Sequence, residues 1–111
     1  MRGAHIGEFE ELVLMAVAAL SGEGYGLAVR EFLVEKANRK VALGAIHATL
    51  YRLQEKGMLR SELEGATEKR GGRRKRMFRL TNTGVESIRK AREARERVWS
   101  LVPSALKPST T

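Results

Sequence analysis

Three patterns in the sequence predict a mainly α chain with a small β-hairpin, arranged as a winged helix-turn-helix followed by a C-terminal dimerisation helix. Apolar residues recur at helical spacing in four separate stretches, three of them before Gly57. Two strand-like runs, Met58 to Glu64 and Lys75 to Leu80, flank a polar loop that bears glycines. Residues 69–79, which span the end of that loop and most of the second run, hold seven basic side chains and no acidic one.

The first helix is expected from Glu8 to Leu20. Phe9, Leu12, Val13, Ala16, Val17 and Leu20 make one apolar stripe, while Glu8, Glu10 and Glu11 suit the positive end of the helix. Ser21-Gly22-Glu23-Gly24 interrupts it. A second helix from Tyr25 to Ala37 turns Val29, Phe32 and Leu33 inward, and Asn38-Arg39-Lys40 link it to the next. The third, Leu43 to Lys56, carries Ile46, Leu50 and Leu53 on its inner face and stops at Gly57, a left-handed cap. After the hairpin, Thr81 and Thr83 compete as caps of a fourth helix that runs to about Val102, where Pro103 stops it. The expected units are a winged head over residues 1–81, a dimerisation helix over 82–102 and a disordered tail over 103–111.

Charge distribution narrows the function. The net charge is +8, but residues 1–68 carry eight basic and ten acidic groups, so the excess sits on the wing and the last helix. Charge focused on one loop suits a polyanion, here double-stranded DNA. The competing reading is a solvated charge run with no partner. Cysteine and aspartate are absent and His5 and His47 are the only histidines, which leaves no thiolate metal set, no disulfide and no zinc site. No cofactor, no metal and no enzymatic activity are expected, since thirteen glutamates come without a marked nucleophile or phosphate-binding loop. No run is long and apolar enough to span a bilayer, and Met1 to Glu8 lacks the apolar core of a signal peptide, so a cytoplasmic protein is expected.

On the third helix, with Ile46, Leu50 and Leu53 inward, the other face presents Gly44, Ala45, His47, Ala48, Tyr51 and Arg52. Small residues at its start let the backbone approach a groove floor, and alanine methyls can meet thymine methyls. Tyr51 and Arg52 are expected on phosphates, as is Lys40 before the helix. Lys69, Arg70, Arg73, Arg74 and Lys75 are expected along the DNA backbone or in the minor groove. The fourth helix bears Val85, Ile88, Ala91, Ala94, Val98, Trp99, Leu101 and Val102, more apolar surface than a small domain can bury. A second copy would cover it, and a two-fold axis would set two reading heads side by side. The alternative is that this helix only folds back on its own domain.

Several of these residues also carry a likeness. Gly44-Ala45-Ile46-His47-Ala48-Thr49-Leu50-Tyr51-Arg52-Leu53-Gln54-Glu55-Lys56-Gly57-Met58-Leu59, then Gly72 to Thr81 with Gly84, resemble the PadR family of bacterial transcriptional regulators. Gly24-Tyr25-Gly26 is similar to that family's second-helix start, and the likeness covers roughly residues 7–102. The resemblance implies a dimeric winged helix-turn-helix, usually a repressor, on an inverted repeat near its own or a neighbouring promoter. The length resembles the short subfamily, which has a single C-terminal dimerisation helix. This chain has Ala45, Ile46, His47 and Ala48 where the family usually has threonine-leucine-tyrosine-proline, and Phe78 where it has tyrosine. A contact made by the family's recognition-helix tyrosine therefore falls to His47. Some short members stack drugs on a tryptophan of this helix, which implies a small aromatic effector at Trp99. The alternative function is an RNA-binding or protein-interaction winged-helix module without operator specificity, although RNA readers usually show more aromatic residues for stacking.

Overall fold

The computed structural model describes residues 5–64 and 75–108. Its elements are helices α1 (Glu8–Leu20), α2 (Gly26–Ala37) and α3 (Leu43–Glu55), strands β1 (Leu59–Glu64) and β2 (Lys75–Leu80), and helix α4 (Asn82–Ser100). A 3-10 turn, Ser104–Leu106, follows within the stretch expected to be disordered, and Lys107 behind it lies 5.3 Å from the Trp99 ring centre. The chain is thus mainly helical with one antiparallel hairpin, the predicted winged helix-turn-helix.

Each boundary has a local cause. The Gly7 N–H at the start of α1 donates to Glu10 at 3.1 Å. Asn38, with φ of 52°, ends α2 in a left-handed turn. At the end of α3 the Met58 N–H donates to the Leu53 carbonyl and the Gly57 N–H to that of Gln54. Gly57 has φ of 80°, so this is the paired Schellman arrangement that the predicted cap requires. Thr81 caps α4: its Oγ1 accepts from the Gly84 N–H at 3.1 Å and donates to the Gly57 carbonyl at 2.6 Å. Of the two competing caps, the residue anchored to the end of α3 is used.

The three helices of the head close over Val13, Leu14, Val17, Val29, Leu33, Ile46, Leu50 and Leu53, with Met58, Leu59 and Phe78 of the hairpin sealing one side. On α1 the buried face is wider than the predicted stripe. Leu14 is fully buried, whereas Phe9, Leu12 and Leu20 are only partly covered. Glu11, one of the three acidic residues expected to suit the positive end of the helix, is 1% exposed. The reason is tertiary: α1 lies between the other helices of the head and α4, so its second face is also covered. Strands pair in register from Leu59 opposite Leu80 to Glu64 opposite Lys75.

α4 leaves the head. Only Ile88 and Ala91 of its predicted apolar positions pack against the core. Nineteen residues of helix span about 28 Å, and the molecule measures 60 × 35 × 21 Å. Its radius of gyration is 16.5 Å, against about 13 Å for a compact chain of this length. The projecting helix makes the difference.

Candidate nucleic-acid interface

The amino-terminal half of α3 turns one face out of the head. Leu43, Gly44, Ala45, His47 and Ala48 are exposed, while Ile46, Thr49, Leu50 and Leu53 hold the other side in the core. Tyr51, also exposed, sets its ring edge-on to Phe78 of β2 at 5.6 Å between centres. His47 lies against Gly26 at the start of α2, where any side chain would run into its imidazole. Lys40 is exposed in the α2–α3 connection, which the Arg30 guanidinium steadies by donating to the Val41 carbonyl at 2.9 Å.

Arg52, read from sequence as a phosphate ligand, is exposed but engaged by residues of its own chain. Its guanidinium donates to Glu10 at 3.1 Å and to the Thr49 hydroxyl at 3.3 Å, and Lys56 reaches the same carboxylate at 3.1 Å. Burial raises the Glu10 carboxyl, but the Gly7 N–H and the two cations outweigh it and hold it below the usual carboxylate range. This cluster ties the start of α1 to the end of α3. Sequence reasoning missed it because Glu10 and Lys56 lie forty-six positions apart.

Of the predicted wing cations, Lys75 stands exposed at the start of β2, its ammonium 5.4 Å from the Tyr25 ring centre. Lys69, Arg70, Arg73 and Arg74 lie outside the described residues. Arg76 turns onto the sheet and donates to the Ser61 hydroxyl at 3.0 Å, which in turn donates to Gln54 of α3. Arg79 lies 4.0 Å from Glu62 across the strands. A cleft of about 620 Å³ opens between α2, α3 and the hairpin, lined by Tyr25, Leu27, His47, Tyr51, Lys75 and Phe78 among others. Tyr25 and Leu27 were not among the residues predicted from sequence; the signal for Tyr25 was its place between two glycines at a helix start.

The predicted dimerisation residues divide. Ile88 and Ala91 are used within the chain, packed on the head beside α1. Val85 and Ala94 are exposed, as are Val98 at 66%, Trp99 at 45% and Leu101 at 79%, with Val102 half-buried. At the junction Arg95 lies 2.6 Å from the buried Glu11 carboxylate, with no described donor aligned for a hydrogen bond to either oxygen. Among the described residues there is no acidic or histidine cluster able to hold a metal ion, and no helix long and apolar enough to cross a membrane.

The fold has close counterparts. A PadR family regulator from hypervirulent Clostridium difficile superposes with a TM-score of 0.74 at 18% identity, over 91% of this chain and 100% of that one. A PadR-like regulator from Bacillus cereus gives 0.70 at 20% identity, over 91% and 93%. One from Eggerthella lenta gives 0.68 at 20%, over 88% and 83%. At these identities the likeness is one of fold. No curated protein matches the sequence. The sequence itself, however, matches the Transcriptional regulator PadR-like family over residues 13–90. That stretch runs from the core of α1 through the hairpin into α4, more than half of the chain, and the protein belongs to that family of DNA-binding transcriptional regulators.

Proposed function

We propose that the protein works as a homodimeric repressor that binds an inverted-repeat operator and is released by a small planar aromatic ligand. The observation that carries this reading is the uncovered apolar face of α4 beyond Ala91, formed by Ala94, Val98, Trp99 and Leu101. Such a face on a helix projecting from its domain is covered by an identical face on a second copy. Each protomer then offers the start of α3 to a major groove, where Gly44, Ala45, His47 and Ala48 meet the base edges. Few long polar side chains face out there, so direct readout is modest and duplex shape supplies part of the specificity. Lys40, Tyr51 and the wing cations Lys69, Arg70, Arg73, Arg74 and Lys75 take phosphates, with Arg52 joining them only if it leaves Glu10. The surface around Trp99, bounded by Ala94, Val98 and Val102, is where an aromatic ligand would stack.

The test couples assembly to DNA. Ultracentrifugation of the wild type is expected to give dimers at micromolar concentration. Duplexes selected from a random pool are expected to be symmetric. With about six phosphates neutralised, log affinity falls against log salt with a slope of roughly −5. Val98→Glu is expected to abolish both the dimer and tight operator binding while the helical signal persists. Monomers at micromolar concentration, with no retardation of any symmetric duplex, overturn the reading. Trp99 fluorescence unmoved by a broad panel of planar aromatic compounds removes the effector from it.

A further inference from the structure

The three residues Gly24, Tyr25 and Gly26 each touch a different part of the DNA-reading apparatus. The Gly24 carbonyl accepts from the Phe78 N–H at 2.9 Å, and Tyr25 forms an antiparallel bridge with Met77. This pairing puts a short third rail on the open edge of β2. The approach is close: a Cβ on Gly24 would stand 2.5 Å from the Phe78 carbonyl oxygen, a backbone atom that cannot swing aside. Gly26, at the first turn of α2, leaves the space that the His47 imidazole of α3 occupies.

Between them, Tyr25 reaches across the hairpin. Its hydroxyl donates to the Glu64 carboxylate at 3.1 Å, and the Lys75 ammonium faces its ring. Glu64 and Lys75 are register partners, at the end of β1 and the start of β2, from which the basic loop departs. One side chain thus holds both rails of the wing at its base. A two-stranded hairpin on its own is marginal and needs packing from other elements. The near end of the hairpin is fixed in the core through Leu59, Met77 and Phe78, and at its far end Tyr25 ties both strands to the start of α2.

We propose that Tyr25 is a positioning residue that aims the cationic wing relative to the reading helix, through Glu64 and Lys75, without itself reading DNA. The proposal rests on the protein being a duplex binder, and the experiment separates the two. Operator affinity is measured across a salt series for the wild type, Tyr25→Phe, Tyr25→Ala and Glu64→Leu, alongside thermal unfolding and sedimentation. Tyr25→Phe keeps the ring and removes only the hydroxyl, so it remains informative should Tyr25→Ala fail to fold.

If Tyr25 aims the wing, Tyr25→Ala flattens the salt slope by about one to two per dimer while the sedimentation of the dimer is unchanged. Tyr25→Phe and Glu64→Leu each weaken binding several-fold, and their double variant is no worse than either, because they cut the same contact. A Tyr25→Phe slope and affinity equal to the wild type, with additive behaviour in the double variant, overturn the proposal. So does a lowered unfolding temperature with the slope intact, the signature of a merely structural residue. A wild type that binds no duplex overturns the regulator reading, and this inference with it.

Discussion

In the head, Val13, Leu14, Val29, Ile46, Leu50 and Leu53 are sealed by neighbouring elements, whereas on α4 Val98, Trp99 and Leu101 stand in solvent. Both regions are regular helix with apolar residues at helical spacing, yet one is satisfied within the chain and the other is not. The difference lies in what each helix meets. α1, α2 and α3 pack on one another, with α1 and α3 also against the hairpin, while α4 meets mainly α1 and β2. Ala91 marks the point where the head runs out. Beyond it the helix still turns an apolar face in a constant direction, and among the described residues none buries it. A closed core accounts for the apolar residues of the head, and the exposed face of α4 is the one on which the proposed pairing of two copies rests.

The comparison breaks most severely with Leu50→Ala. A fully buried side chain in the middle of the core leaves a cavity costing about 2–5 kcal/mol. Urea unfolding is expected to show that loss, and duplex retardation disappears with it. A change below about 1 kcal/mol would show that the head is not closed as described.

Next in size is the joint between the two regions. Thr81→Ala removes both the cap of α4 and the bond to the Gly57 carbonyl, and is expected to cost about 1–2 kcal/mol. Thr81→Ser restores most of it, and Thr83→Ala leaves stability unchanged. Equal losses at Thr81 and Thr83 would mean that the helix starts elsewhere.

The smallest effect sharpens the head's side of the comparison. The Glu10 carboxyl is held below its usual value of 4.5, so the folded state favours its charged form. Its contribution to stability is therefore present above that pH and is lost as pH falls below 4.5 through the folded value. Thermal midpoints of Glu10→Gln are expected to fall less steeply with acid than those of the wild type. Parallel curves would show that Arg52 and Lys56 do not stabilise that carboxylate.

Much of this architecture was legible in the sequence because it is local. The helix from Glu8 to Leu20, the stop at Gly57 and the run from Lys75 to Leu80 each depend on residues a few positions apart. The candidate site was legible only in part. The exposed start of α3 followed from the inward spacing of Ile46, Leu50 and Leu53, but the diversion of Arg52 to Glu10 did not. Nothing near Arg52 in the chain signals a carboxylate forty-two positions earlier.

By itself the sequence determined the element order, the winged class, the focus of positive charge on the hairpin and the surplus of apolar surface on the last helix. Periodicity and composition encode these within one or two turns of chain. Only the tertiary structure decided that Glu11 is buried beside Arg95, that Thr81 rather than Thr83 caps α4, and that Tyr25 grips the wing. It also decided that the stripe on α4 divides at Ala91. Those outcomes depend on which surfaces cover one another, and a face is covered by residues distant in sequence whose approach no local pattern records.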